Sequence, residues 1–117
     1  MKLYQELAAD LSTLIRQGTL QAGERIPSVR ELAVGVGVNP NTVTKSYQAL
    51  LDREIIENQR GLGYFVAADA KKRIVAQMRE EFVREELPKI FRTMRMLGMQ
   101  VEDLGPYFAQ FNGEHAS

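Results

Sequence analysis

The segment VNPNTVTKSYQAL, residues 38–50, contains the signals of a helix whose outer face is polar but sparsely charged. Asn39 fits the N-cap, and Pro40 fits the first helical position, where the missing N–H would have had no acceptor in any case. Apolar residues at helical spacing predict the buried face: Val43, Tyr47, Leu50 and Leu51. The outward flank then consists of hydrogen-bonding side chains: Asn41, Thr44, Lys45 and Gln48.

Two further helices are predicted before this segment. Apolar residues recur at helical spacing between Lys2 and Gln17, and Gly18 follows where a helix would stop. Residues 28–31, SVRE, have the capping-box pattern that begins a second helix. Two glycines, at positions 35 and 37, limit this helix to about two or three turns. Its predicted apolar face comprises Val29, Leu32, Ala33 and Val36.

The pattern changes from helical to strand-like after Arg53. Residues 55–58 and 64–66 are rich in β-branched and aromatic side chains, and they enclose a glycine-bearing tip at residues 59–63. This arrangement predicts a hairpin. The order helix, helix, tight turn, helix, hairpin is that of a winged helix-turn-helix, with the opening segment as its recognition helix. We therefore predict a mainly α protein with a small β-hairpin, whose DNA-binding domain spans residues 1–67.

The remaining residues, 68–117, carry an apolar stripe that two helices cannot bury between themselves. Helical periodicity over residues 74–97 allows about seven turns, and Pro88 is expected to kink this helix. After Gly98 we expect a shorter helix, disturbed by Gly105-Pro106. Because exposed apolar surface is costly, we predict a dimerisation element in which the stripe packs against a second copy. The predicted dimerisation residues are Met78, Phe82, Leu87, Ile90, Phe91, Met94, Leu97, Leu104 and Phe108.

Composition limits the possible functions. The 117 residues are 44% hydrophobic and 26% charged, which is typical of one globular domain or of a domain with an appendage. Without cysteine, without a signal-peptide pattern and without an apolar run of ~18 residues, we expect a cytoplasmic protein with no membrane partner. Lys+Arg and Asp+Glu both number 15, so any DNA contact must depend on a few cations, polar side chains and helix N-termini.

Three stretches resemble the GntR-type bacterial transcription regulators, and among them the short YtrA-like subfamily: IPSVRELA (26–33), GVNPNTVTKSYQAL (37–50) and RGLGYFV (60–66). The resemblance implies a homodimer that represses transcription from a pseudo-palindromic operator, often beside genes for membrane transporters. Many GntR-type proteins have an arginine where Pro40 stands, and Asn-Pro-Asn-Thr is the YtrA-like form. At Glu54 the family commonly has a helix-stopping glycine, so the exit into the hairpin is expected to differ slightly.

The predicted DNA contacts of the recognition helix are short or flexible polar side chains. Asn and Thr allow the backbone to approach the bases, and Lys45 can reach guanine or a phosphate. The residues predicted to read bases or adjacent phosphates are Asn41, Thr44, Lys45 and Gln48. Asn39 and Thr42 are predicted to cap the helix and to position the DNA backbone.

Further contacts are predicted outside the recognition helix. Ser28 and Arg30 begin the second helix, whose free amides and positive dipole end favour a phosphate. Arg60, beside Gly61 at the hairpin tip, is placed to enter a minor groove or to bind its phosphates. Each residue also has an ordinary structural interpretation, because Ser28 caps any helix, Arg30 suits a solvated surface and Gly61 suits a turn.

One other function is consistent with parts of the sequence, and a second has little support. In one, a helical protein–protein interaction module uses the winged domain as its partner surface, and the neutral net charge mildly favours this alternative. An enzyme has little support, since there is no nucleophile–base pair, P-loop or dinucleotide fingerprint. The methionines at 94, 96 and 99 suit core filling better than a soft-metal sensor, because the chain has no cysteine and one histidine. We therefore expect no metal and no cofactor, and no feature defines a small-molecule effector.

Overall fold

The computed structural model describes residues 3–115 and divides into two compact units. The first unit extends to Met78 and the second begins at Arg79. Residues 68–78 belong to the first unit because Ala70 and Ile74 are buried in its core. The assignment of residues 1–67 to DNA binding and of residues 68–117 to dimerisation stays a prediction.

The described part of the first unit contains three helices and a hairpin in the predicted order, followed by most of a fourth helix. The elements are α1 (Leu3–Arg16), α2 (Val29–Val36), α3 (Pro40–Asp52), β1 (Ile56–Gln59), β2 (Gly63–Val66) and the start of α4 (Ala70–Glu81). β1 and β2 are antiparallel, with Ile56 opposite Val66 and Gln59 opposite Gly63. The predicted winged helix-turn-helix is confirmed, with α3 in the position of a recognition helix and the β1–β2 hairpin in that of the wing.

The core of the first unit forms where α1, α3 and the hairpin meet. Val43, Tyr47 and Leu50 are at most 1% exposed, which agrees with the predicted inner face of α3, and Leu51 is half-buried. Ser46 is the buried polar residue of this helix. Its hydroxyl lies 2.7 Å from the Tyr4 carbonyl oxygen of α1 and 2.9 Å from that of Thr42, so its single proton is shared between α1 and its own helix.

The start of α2 agrees with its prediction, whereas its end does not. Ser28 Oγ accepts from the Glu31 N–H at 3.1 Å, and Glu31 Oε1 accepts from the Ser28 N–H at 3.1 Å, so the capping box is formed. The predicted inward position of Val36 is wrong, since this side chain is 52% exposed. The reason is that α2 ends at Val36 and the chain turns away at Gly37, whose φ is 78°.

The exit from α3 has the geometry of a glycine stop without the glycine. Glu54 has a φ of 60°, in the left-handed region that residues other than glycine seldom adopt. Its N–H donates to the Leu51 carbonyl at 2.9 Å, and the Ile55 N–H donates to the Leu50 carbonyl at 2.9 Å. The chain therefore keeps the left-handed turn that a glycine would make, although the residue at this position is a glutamate.

The second unit continues from the end of α4. A π-helical turn (Phe82–Glu86) leads into α5 (Leu87–Leu97), and a 3₁₀ turn (Val101–Asp103) leads into α6 (Leu104–His115). In the π-helical turn, the Leu87 N–H donates to the Phe82 carbonyl, five residues earlier. Pro88 follows at once, and its missing N–H and its ring are incompatible with a regular α-helical turn before it. The predicted disturbance at Pro88 therefore takes the form of a π-helical turn.

The last helix differs from its prediction. We expected Gly105-Pro106 to disturb it, but both residues lie in the first turn of α6. Amides in the first turn of a helix have no acceptor within the helix, so a proline is tolerated there. Across residues 3–115, no helix combines the length and the apolar character that crossing a membrane requires.

Candidate nucleic-acid interface

The N-terminus of α3 is fixed by Asn39. Its backbone is extended (φ −64°, ψ 135°), and its side-chain Oδ1 accepts from the Asn41 N–H at 2.8 Å. The side-chain oxygen of Asn39 is thus used in the cap, and the two donors of its amide remain for an outside acceptor. Thr42 takes part through its backbone, since its N–H donates to the Asn39 carbonyl at 2.9 Å.

The four outward side chains of α3 are all exposed, but they are not equally available. Thr44 Oγ1 donates to the Pro40 carbonyl at 3.1 Å, which leaves its oxygen as an acceptor and its methyl group uncovered. Gln48 Nε2 donates to Asp52 Oδ1 at 2.8 Å. Within the described part of the chain, no hydrogen bond or ion pair engages the side chains of Asn41 and Lys45. These two therefore offer uncommitted donors near the start of the helix.

The N-terminus of α2 combines free amides with a carboxylate. Hydrogen bonds from the backbone and the hydroxyl of Ser28, aided by the nearby charge of Arg25, hold the pKa of Glu31 below its ordinary value. Glu31 is therefore negatively charged at neutral pH, beside the place where a phosphate is predicted to bind. A phosphate here depends on the cations around it, and Arg30 is an exposed one.

The wing tip is a four-residue turn that presents Arg60. The Leu62 N–H donates to the Gln59 carbonyl at 2.8 Å, and Gly61, third in the turn, has a φ of 78°. This combination is that of a type II turn, which requires a positive φ at its third residue and favours glycine there. Arg60 occupies the second position and is exposed. Gly61 therefore contributes the backbone conformation that presents the Arg60 side chain.

Sequence reasoning missed Arg25, which lies between the first two helices and belongs to none of the predicted contacts. Its Nε donates to the Leu62 carbonyl of the wing at 3.2 Å, and one of its terminal nitrogens lies 3.8 Å from Glu31 Oε1. Its backbone also forms an isolated bridge with Phe65 of β2. No spacing rule connects residues 25 and 62, which lie 37 positions apart, so local patterns could not have found this contact.

The predicted dimerisation residues fall into two groups by exposure. Met94 is 7% exposed and Leu87 and Leu104 are half-buried, so these three already pack within their own chain. The others are between 40% and 67% exposed: Met78, Phe82, Ile90, Phe91, Leu97 and Phe108. In the residues whose side chains are described, no cluster of His, Cys, Asp and Glu could hold a metal ion.

Comparisons with known proteins show the family and the fold of this chain. A family model described as bacterial regulatory proteins, gntR family, matches residues 3–66. The HTH-type transcriptional repressor YtrA of Bacillus subtilis (strain 168) is 30% identical over 112 residues, which are 96% of this chain and 85% of that protein. A crystal structure of a putative GntR-family regulator from Bacteroides thetaiotaomicron has a TM-score of 0.85 and 36% identity, over 97% of this chain and 98% of that one. The DNA-binding domain of AraR, solved in complex with operator ORX1, has a TM-score of 0.55 and 28% identity, over 57% of this chain and 81% of that one.

Proposed function

The chain belongs to the gntR family of bacterial regulatory proteins, and from this we propose that it is a homodimeric transcription repressor that binds a pseudo-palindromic DNA operator. The relatives named above are transcription regulators, and we assign this chain no catalytic role. The observation that carries the proposal is the start of α3, where Asn39 caps the helix and leaves Asn41 and Lys45 exposed and uncommitted. YtrA is named a repressor, which supports that direction of regulation.

In this proposal α3 enters the major groove by its N-terminus. Asn41 pairs with an adenine through two hydrogen bonds, and Lys45 donates to a guanine or to a phosphate; each good base contact discriminates by about 1–3 kcal/mol. Thr44, whose proton is given to the Pro40 carbonyl, offers its methyl group to a thymine. Gln48 is the weakest of the proposed readers, because it must first give up its hydrogen bond to Asp52.

The remaining contacts position the protein on the DNA backbone. Asn39 donates its free amide protons to a phosphate, and Thr42 lies beside it at the start of α3. Ser28 and Arg30 hold a phosphate at the N-terminus of α2. Arg60, presented by the turn at Gly61, enters the adjacent minor groove.

Because the chain has no net charge, the proposed DNA contacts depend on a few cations that can be counted, and the expected salt dependence follows from that count. The proposed phosphate or groove cations are Arg30, Lys45 and Arg60 in each protomer, which gives roughly six per dimer. Each neutralised phosphate contributes about −0.9 to the log–log slope of affinity against salt, so a slope of about −5 is expected. A protein-interaction module of the same net charge has no reason to show such a slope.

The exposed apolar surface of the second unit supports the dimer. Phe82, Phe91 and Phe108 are each about half or more exposed, and exposed aromatic surface of this kind is characteristic of a protein interface. A symmetric dimer that reads two half-sites on one face of DNA places its recognition helices about 34 Å apart. The target genes that the YtrA-like resemblance suggests are those of membrane transporters, and such a regulator acts in the cytoplasm, on the chromosome.

The decisive experiment is selection from a pool of random duplex DNA, with sequencing of the retained molecules at several salt concentrations. We expect enrichment of a two-fold symmetric site and a steep loss of retention with salt. Lys45→Ala should lower the retention of the selected site, whereas Lys89→Ala, on α5, should leave it unchanged. Weak retention without an enriched site would contradict the proposal and favour the protein-interaction alternative.

A further inference from the structure

The segment that contains Arg25 is held against the wing by its backbone. The Gly23 N–H donates to the Val66 carbonyl at 2.8 Å, the Val66 N–H donates to the Glu24 carbonyl at 2.9 Å, and the Ile26 N–H donates to the Tyr64 carbonyl at 2.9 Å. Ile26 is 2% exposed and anchors the segment in the core. The backbone of Arg25 is therefore fixed beside β2, where it forms an isolated antiparallel bridge with Phe65.

From this fixed position the Arg25 side chain contacts two elements at once. Nε donates to the Leu62 carbonyl oxygen, and a terminal nitrogen lies 3.8 Å from Glu31 Oε1, the same oxygen that accepts from the Ser28 N–H. The guanidinium group is planar and its donors keep fixed directions. One rigid group thus connects the wing turn to the capping box at the N-terminus of α2.

Gly63 provides the space for this contact. A Cβ atom at this position would lie 3.1 Å from Arg25 Nε and within 4 Å of two further atoms of the same guanidinium. The φ of Gly63 is 116°, which also favours glycine. Gly61, in the wing turn, has no atom within 4 Å of such a Cβ, so of these two glycines only Gly63 makes the close approach.

We propose that Arg25 is a positioning residue that holds the wing against α2 and so determines where Arg60 meets DNA. The wing is a two-stranded hairpin of four residues a strand, which is not stable alone, and the Leu62 carbonyl lies in the turn that presents Arg60. Both partners of the Arg25–Glu31 pair are more than half exposed, so the pair adds little to global stability. Arg25 instead determines the orientation of the wing. This role rests on the proposed DNA-binding function.

The first test uses the free protein, and its result does not depend on DNA. Backbone ¹⁵N order parameters are measured for residues 60–63 in the wild type, in Arg25→Ala and in Arg25→Lys. Both variants should lower these values from about 0.85 towards about 0.6, while α3 stays rigid. The lysine variant is included because one ammonium cannot reproduce the fixed fork that spans Leu62 and Glu31. Unchanged order parameters in Arg25→Ala would overturn the proposal.

The second test is a double-mutant cycle on affinity for the duplex enriched from the random pool. Arg25→Ala should weaken binding several-fold and flatten the salt slope by about 1 per protomer, and Arg60→Ala should do the same. In the Arg25→Ala background, Arg60→Ala should then cost little more, because a mispositioned wing has already lost the contact. Arg73→Ala is the matched control, since it removes exposed ion pairs to Asp69 and Glu54 without touching the wing.

The outcomes separate the two proposals. Full additivity of Arg25→Ala with Arg60→Ala, or full affinity in Arg25→Lys, would show that Arg25 acts as a simple charge and would overturn the positioning role. If the wild-type protein retains no DNA, the proposed function fails, and the order parameters alone decide whether Arg25 holds the wing.

Discussion

Glu54 is in a conformation that its side chain does not favour. A left-handed residue other than glycine costs roughly 1–2 kcal/mol, and Glu54 has a φ of 60°. Its carboxylate lies 2.9 Å from a terminal nitrogen of Arg73, with side chains that are 72% and 40% exposed. An ion pair this exposed adds little to stability, so it does not offset the backbone strain.

Two variants separate these contributions at residue 54. Glu54→Gln keeps the strained backbone and removes the charge, so the free energy of unfolding should fall only slightly. Glu54→Gly removes the strain as well, and it should be more stable than Glu54→Gln by about 1 kcal/mol. Urea denaturation of both proteins measures the difference. Equal stabilities would show that the left-handed conformation at this residue carries no net strain.

Replacement of Asn41 and replacement of Lys45 should weaken DNA binding in different ways. Asn41→Ala should cost about 1–3 kcal/mol and relax the preference at one base pair, because a base contact is lost. Lys45→Ala should also flatten the salt slope if its partner is a phosphate. Titration of the enriched duplex and of single-base variants distinguishes the two. Asn112→Ala, on exposed α6, is the control, and wild-type affinity in both helix variants would rule out α3 as the reading element.

At the scale of elements, Tyr47 connects α3 to the chain that leads into α2. Its hydroxyl donates to the Pro27 carbonyl at 2.6 Å, and its ring meets Tyr64 edge to face at 5.0 Å between centroids. Burial, with smaller effects from Tyr64 and Glu31, raises the pKa of Tyr47 to about 12. The folded state therefore favours the protonated phenol, and this stabilisation is complete below the unfolded pKa of about 10.

The consequence is a pH dependence at high pH. As pH rises from about 10 to about 12, the unfolded tyrosine loses its proton before the folded one, so this group withdraws roughly 3 kcal/mol of stability. Tyr47→Phe should cost about 1 kcal/mol at neutral pH, through the lost hydrogen bond, and should be less sensitive over that interval. Denaturation of both proteins at several pH values tests this. Parallel stability curves above pH 10 would contradict the raised pKa.

The elements whose signals are local were predictable from the sequence. The Ser28–Glu31 capping box and the Asn39-Pro40 helix start involve residues at most three positions apart, and both occur as expected. The contacts of Arg25 with Leu62 and of Tyr47 with Pro27 join distant positions and follow from tertiary packing. Val36 was misplaced because periodicity assumes that a helix continues, whereas α2 ends there.

At the scale of the whole molecule, the second unit should hold two copies together. Phe91 on α5 is 49% exposed and belongs to the predicted dimerisation stripe. Phe91→Glu would place a charge in that interface, which is costly when the charge has no partner. Sedimentation at equilibrium should show a monomer, and affinity for a two-fold symmetric duplex should fall because one protomer contacts one half-site.

The control for this experiment lies on the same helix. Met96 is 78% exposed and outside the predicted dimerisation set, so Met96→Glu should sediment as the wild type does. Urea unfolding of the first unit should be unchanged in both variants, which excludes general misfolding. A dimer that persists in Phe91→Glu would place the interface elsewhere on the molecule.

The π-helical turn at Phe82–Glu86 sets the angular phase of everything that follows it in the helix. An α-helix advances about 100° a residue, so one extra residue in a turn rotates all later side chains by about that angle. In this turn the Leu87 N–H reaches the Phe82 carbonyl although five positions separate the two residues. A one-residue deletion between them, combined with Pro88→Ala, would restore an unbroken α-helix and keep both side chains on one face. Pro88→Ala alone would allow the turn to become α-helical. The apolar stripe of α5 would then rotate away from Phe82. The length of this turn therefore determines around which side of the helix the proposed dimerisation residues of α5 lie.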